Sequence, residues 1–242
     1  PYYQGNLFLS KKFNMPLNLH TFTFNAFSEN TYLIWDENKI GVAIDPGMMT
    51  REEEQSFSSF LTENEIQLQR VWLTHCHIDH IMGLDYIHRN YGIVAEAHAL
   101  DQVNVERSPL VAEMYGLPYS EGPTPHYVLE TGNLSHAGIA CEVRFTPGHS
   151  PGHVVFYFEK EGWLLAGDTL FQGSIGRTDL PGGDFATLEK SIRVFLVLGL
   201  FLLCMMLKYK ILLPTQGSLI IRVLTTSDLF VVMAILVRQK KT

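Results

Sequence analysis

The chain has 242 residues, 46% of them hydrophobic and 18% charged, which suits a folded globular protein and excludes a disordered or fibrous one. Its formal net charge of -7 argues against a nucleic-acid binder, because neutralising phosphates takes clustered Lys and Arg. Three cysteines, Cys76, Cys141 and Cys204, are too few for a disulfide framework and point to a reducing, cytoplasmic compartment.

Residues 1–14 lack the layout of a secretory signal and read as a disordered or artefactual leader, with Met15 opening the folded part. Strands follow at His20–Asn25, Thr31–Trp35 and Ile40–Ile44, rich in β-branched and aromatic residues, the third closed by the turn Asp45-Pro46-Gly47. Thr50 and Glu53 form a capping box that predicts a helix over Arg51–Leu61, and Gln69–Leu73 returns to a strand. Ile81–Tyr91 reads as a helix and Ile93–Ala97 as a strand. Asp101–Tyr115 reads as helical with a break at Ser108-Pro109, and Gly116–Pro125 as loop. Gly138–Phe145, His153–Phe158 and Trp163–Ala166 are further strands, and a helix begins at Phe185. Strands interleaved with capped helices imply a layered α/β domain over residues 15–193.

The chain has ten histidines, all between His20 and His153. Thr74-His75-Cys76-His77-Ile78-Asp79-His80 follows a predicted buried strand. Alternate side chains of an extended segment share a face, so His75 and His77 point together while Cys76 and Ile78 point away. A turn into a helix then brings Asp79 and His80 to a second point nearby. Neutral imidazole with carboxylate suits zinc or iron better than calcium or magnesium. The turn-rich loop Thr146–His153 can project His149 inward, and Asp168, at the end of an apolar strand, can offer two oxygens to two cations. For His20, His88, His98, His126 and His136 the ordinary reading holds, a hydrogen-bonded core or surface side chain. Three imidazoles and an acid within six residues have little structural use. His153 reads as a support for the site, and Cys76 as buried and inert.

At these residues the sequence resembles the metallo-β-lactamase superfamily, and within it the small glyoxalase II-type hydrolases. The resemblance runs from about Met15 to Arg193 through Phe27–Leu33 (FSENTYL), Ala43–Gly47 (AIDPG), Leu73–His80 (LTHCHIDH), Thr146–His153 (TPGHSPGH), Gly167–Phe171 (GDTLF) and Gly176–Asp184 (GRTDLPGGD). It implies a four-layered α/β/β/α sandwich with metals at one edge of the β layers. It further implies that His75, His77 and His149 hold a first metal, that Asp79 and His80 hold a second, and that Asp168 bridges them. Two zinc ions are the family expectation, with iron or manganese as alternatives. The family completes its second site with a histidine in a C-terminal turn, and this chain has none after His153; Pro214-Thr215-Gln216-Gly217 has Gln216 in that place.

The tail differs in kind. Residues 1–190 hold 11 Lys+Arg against 24 Asp+Glu, a net of -13, whereas residues 191–242 hold 7 against 1, a net of +6. Its apolar runs, Val194–Leu207 and Leu229–Val237, have fourteen and nine residues, short of the roughly 20 that span a bilayer. Membrane association of the tail is the lesser alternative; the expectation is a reading-frame shift near Arg193 that replaced the C-terminus.

The activity implied is hydrolysis of a small-molecule thioester, a hydroxyacyl-glutathione-like compound. A metal-bound water with its pKa lowered to about 7 would attack, and Asp79 would orient it. Arg177 and Asp179 have two readings, an ion pair bracing a glycine-rich loop or a pair orienting an acidic substrate. The rivals are a mononuclear iron persulfide dioxygenase, for which His75, His149 and Asp168 would suffice, and a catalytically impaired product with an incomplete second site. The oligomeric state is left open.

Overall fold

A computed structural model describes residues 16–171 and 174–193. The leader 1–14 and the tail 194–242, with both apolar runs and Pro214–Gly217, lie outside the described residues.

The opening strands form an antiparallel meander: β1 (Asn18–Phe24), β2 (Glu29–Trp35) and β3 (Ile40–Ile44). Helix α1 (Arg51–Glu63) then crosses over so that β4 (Gln67–Trp72) pairs parallel to β3. The capping box starts α1: Thr50 Oγ1 accepts from Glu53 N–H at 3.2 Å and Glu53 Oε2 accepts from Thr50 N–H at 2.9 Å. A second sheet, β5 (Gly132–His136), β6 (Ile139–Phe145), β7 (Val154–Phe158) and β8 (Trp163–Leu165), is antiparallel in chain order. A two-residue hairpin, β9 (Leu170–Phe171) with β10 (Ser174–Ile175), follows.

The period-2 alternation of the strands separates two cores. Tyr32, Ile34, Val42, Ile44 and Trp72 face Ile139, Val143, Val154, Phe156 and Phe158 between the sheets. Their neighbours Leu33, Ala43 and Val71 point the other way, onto Phe57 and Leu61 of α1, Leu84 and Ile87 of α3 (Leu84–Tyr91) and Val105 of α4 (Gln102–Tyr115). Residues 185–193 form a further helix, α5, against the β6–β7 loop: Leu188 is buried and Ser191 Oγ donates to Pro147 O at 2.8 Å. Gly148 in that loop has φ +128° and meets the Leu188 backbone where a Cβ would stand, so only glycine fits.

Several elements differ from the sequence reading. Ile93–Ala97 is not a strand; only Glu96 pairs, bridging Trp72 on one side and His126 on the other. The helix expected over Ile81–Tyr91 is two, α2 (Ile78–Ile81) and α3, because Gly83 donates its N–H to Pro46 O at 2.8 Å and the chain turns there. The break expected at Ser108-Pro109 is absent and α4 runs through it. Pro109 cannot donate to the carbonyl four residues back, and the Ser108 hydroxyl does so instead, at 2.7 Å from Val105 O. Strand β5, polar and short, has no expected counterpart.

Candidate metal centre

The site stands where both sheets end on the same side. Asp45 closes β3 in a left-handed conformation (φ 52°), and its carboxylate accepts from Thr74 N–H at 2.7 Å and from the Thr74 hydroxyl at 2.6 Å. This fixes the chain leaving β4. Thr74 O in turn accepts from Val154 N–H at 2.8 Å, tying the first sheet to the start of β7.

From there His75 and His77 turn to one side, and Cys76 goes into the core that the first sheet forms with α1, α3 and α4. Burial, with the nearby Asp101 and Asp45 charges, pushes the Cys76 thiol well up, so it stays protonated and inert. His77 occupies the N-cap of α2 without capping it, which leaves its ring free for the site. His75 Nε2 lies 3.1 Å from His77 Nδ1, His77 Nδ1 lies 2.8 Å from His149 Nε2, and His149 Nε2 lies 3.2 Å from His75 Nε2. Burial and the crowding of neighbouring imidazoles hold His75 well below its ordinary value, and burial together with His149 holds His77 at about 3.

The second group centres on His80, fully buried on α2. Its Nε2 lies 3.5 Å from Asp79 Oδ2 and 3.3 Å from Asp168 Oδ1. Asp168 Oδ2 lies 3.3 Å from His149 Nε2, so the carboxylate stands between the two groups with one oxygen toward each. Burial alone would raise Asp168, but the charge and hydrogen bond of His80 outweigh it and hold the carboxylate well below its usual range. His80 is the converse: burial would lower it, and Asp79, Asp45 and Asp168 raise it well above the ordinary imidazole.

Around these sit Asp45 and Glu29, which the sequence did not mark as site residues, and His153, Arg177 and Asp179, which it did. Asp45 Oδ2 is 3.1 Å from His80 Nδ1, off the hydrogen-bond direction, and Glu29 Oε1 is 3.8 Å from the same nitrogen. From the sequence, Asp45 reads as a turn residue, and Glu29 is one letter of the motif FSENTYL with no role of its own. His153 has both ring nitrogens engaged, accepting Asp168 N–H on Nε2 at 3.0 Å and meeting the Thr146 and Thr169 hydroxyls on Nδ1 at 3.0 and 3.2 Å. Arg177 and Asp179 lie at the exposed rim in a bidentate pair, both bonds 2.7 Å, which lowers the Asp179 carboxyl to about 2. The rings of Phe27 and Tyr115, both largely exposed, meet edge to face at 5.9 Å. His20, His98 and His136 lie elsewhere, on Phe60, on Phe145 and on Gln69.

The donor set fits a cation. His149 Nδ1 lies 2.7 Å from the Arg177 carbonyl oxygen, which can only accept. Nδ1 therefore carries the proton, and Nε2 of the neutral ring presents a lone pair to His75 and His77. Three ring nitrogens within 3.2 Å of one another cannot all be satisfied by mutual hydrogen bonds, since one pair is always left like against like, lone pair to lone pair or N–H to N–H. The edge of a tetrahedron with metal–nitrogen bonds of about 2.0–2.1 Å is about 3.3 Å, close to these spacings.

A two-sheet sandwich with helices outside and a histidine–aspartate cluster at one sheet edge defines the metallo-hydrolase class. The sequence profile of the metallo-beta-lactamase superfamily matches residues 25–215, and the chain belongs to that superfamily. Its fold is the α/β/β/α sandwich. The chain is 34% identical over 184 residues, 75% of its length and 85% of the relative's, to hydroxyacylglutathione hydrolase GloC of Haemophilus influenzae. It is 32% identical to the probable metallo-hydrolase YqgX of Bacillus subtilis over 67% of this chain and 76% of the other. Among solved structures it is similar to TTHA1623 in a di-iron-bound form, with a TM-score of 0.66 and 32% identity over 74% of this chain and 86% of that one. The B3 metallo-beta-lactamase BLEG-1 gives the same TM-score at 31% identity, covering 73% of this chain and 84% of its own.

Proposed function

We propose that this protein hydrolyses a thioester of the hydroxyacyl-glutathione type. The observation that carries the reading is the histidine triangle with its His149 lone pair aimed inward, joined by Asp168 to His80 and Asp79. His75, His77 and His149 would hold one ion, Asp79 and His80 a second, and Asp168 would serve both. Zinc is the proposed metal, with iron or manganese as alternatives. When bound, such a pair supplies a water whose pKa falls toward about 7 and an electrophile for the carbonyl oxygen.

The chain's own groups do the rest. The Arg177 carbonyl holds the His149 ring through Nδ1–H, and His153 Nε2 holds the backbone of Asp168. Asp79 orients the attacking water by accepting its hydrogen bond. Burial keeps His75 and His77 unprotonated, so neither can protonate a leaving group. A thioester needs no such acid, because a thiol of pKa about 8.5 departs as thiolate. The Arg177 guanidinium, balanced by Asp179, is placed at the rim to orient an anionic substrate. The relative in Haemophilus influenzae named as a hydroxyacylglutathione hydrolase supports the same class of substrate. A small molecule as partner also agrees with the acidic body of the chain, and no helix among the described residues is long and apolar enough to cross a membrane. The small number of cysteines, three in all, supports a reducing, cytoplasmic compartment.

A second reading rests on His75, His149 and Asp168, a two-histidine, one-carboxylate set of the kind that serves mononuclear iron in oxygen chemistry. The experiment is to supply the full-length protein with a hydroxyacyl-glutathione thioester and, separately, with glutathione persulfide. The proposal expects thiol release from the first, no oxygen uptake with the second, and loss of both activity and one metal equivalent in Asp168→Ala. Oxygen uptake by the iron-loaded protein without thioester cleavage would transfer the assignment to the dioxygenase. A fully active Asp168→Ala protein would rule out the two-metal arrangement.

A further inference from the structure

We infer that Asp101 is a positioning residue that sets the spacing of the two loops carrying the histidine triangle, and through it the affinity of that triangle for a divalent metal. The inference rests on the reading of the triangle as a metal site.

His75 and His77 leave the first sheet after β4, whereas His149 belongs to the β6–β7 loop of the second. At their base the loops are joined by the bond from Val154 N–H to Thr74 O. Toward the histidines the link is Asp101, which is fully buried. It stands at the N-cap of α4, where an aspartate ordinarily accepts from the first turn of its own helix. Here the side chain makes no capping bond. Asp101 Oδ2 instead accepts Cys76 N–H at 2.6 Å, from the residue between His75 and His77. Oδ1 accepts Gly152 N–H at 2.6 Å, and the Ser150 hydroxyl, next to His149, lies 2.8 and 3.0 Å from the two oxygens. Gly152 leaves no room for slack: a Cβ there would stand 2.6 Å from Asp101 N.

One carboxylate thus accepts from three donors on two loops, and only an acceptor at both positions can do so. An amide of the same shape would set an N–H against either Cys76 N–H or Gly152 N–H, donor facing donor. The loops would move apart there, and the triangle would open.

The test is a competition titration of the chelated, full-length protein with cobalt(II), read by its visible absorption, for wild type, Asp101→Asn and Ser150→Ala. Losing a partner that orients metal ligands costs about 10–100-fold in affinity. That loss, with an altered cobalt spectrum, is expected for Asp101→Asn, and a smaller change in the same direction for Ser150→Ala. A merely structural role would lower the melting temperature of the metal-free protein and leave the affinity and spectrum of the folded fraction unchanged; that result overturns the inference. Should Asp101→Asn not fold, wild-type affinity and spectrum in Ser150→Ala overturn it equally. A wild-type chain that takes up no cobalt defeats the metal reading itself, and the clamp with it.

Discussion

His149 illustrates how much a single residue's chemistry depends on a partner remote in sequence. Its spacing in Thr146–His153 suggests a loop histidine and nothing about its tautomer; the Arg177 carbonyl, 28 residues later, decides which nitrogen faces the site. Arg177 therefore has two separable parts. Its backbone holds His149, and its side chain pairs with Asp179 at the rim. Arg177→Ala removes only the second, so it is expected to raise KM for an anionic thioester about tenfold or more while kcat changes little, as for a group that binds substrate and transition state alike. Steady-state kinetics decide this, and a kcat loss at constant KM would assign the side chain to the chemistry instead. The His75–His80 run was legible in the sequence because strand alternation and the following helical turn dictate where each side chain goes. Asp45, Glu29 and Asp101 were not. Their roles arise from loops that meet only in the folded chain, and an aspartate before a helix looks the same whether it caps the helix or clamps two loops.

Elements follow the same division between local and non-local causes. The capping box, the three opening strands and the β6–β7 pair were readable because alternation and cap chemistry lie within a few residues of one another. Strand β5, Gly132–His136, carries little alternation of its own and exists through its pairing with β6. The uninterrupted α4 is more instructive, since a proline in mid-helix usually costs about 3 kcal/mol or more. Ser108 offsets part of that by donating its hydroxyl to Val105 O at 2.7 Å, in a place nearly closed to water. Ser108→Ala is expected to leave that carbonyl unpaired and to cost about 1–3 kcal/mol. Urea unfolding of the metal-free protein measures it. Because Ser108 Oγ also reaches Tyr119 Oη at 3.0 Å, a Tyr119→Phe protein should show a smaller loss. Equal stability of Ser108→Ala and wild type would mean that α4 tolerates Pro109 for another reason.

At the scale of the molecule, the two sheets bring together groups whose protonation sets when a metal can enter. Metal ligands must shed their protons first. An ordinary imidazole of pKa about 6.5 loses about tenfold of its neutral fraction between pH 7.5 and 5.5, so three of them would weaken a site about 1000-fold. Burial holds His75 well below that value and His77 at about 3, so protons barely compete at these two across the interval. The sign is thus toward retention in mild acid. Zinc affinity of the histidine triangle should therefore fall far less than 1000-fold from pH 7.5 to 5.5, as competition with a chelator of known pH dependence would show. A 1000-fold fall would mean that the rings are open to water.

The histidine-rich acidic body and the histidine-free basic tail are legible as two kinds of sequence from charge alone. The measurement that bears most directly on the whole account is the rate of thiol release from a hydroxyacyl-glutathione thioester, followed as zinc is added back to the chelated full-length protein. The account predicts no release without metal, a rise with the first equivalents and a plateau at no more than two per chain. Unchanged hydrolysis by the chelated protein, or none at any zinc level, would contradict it.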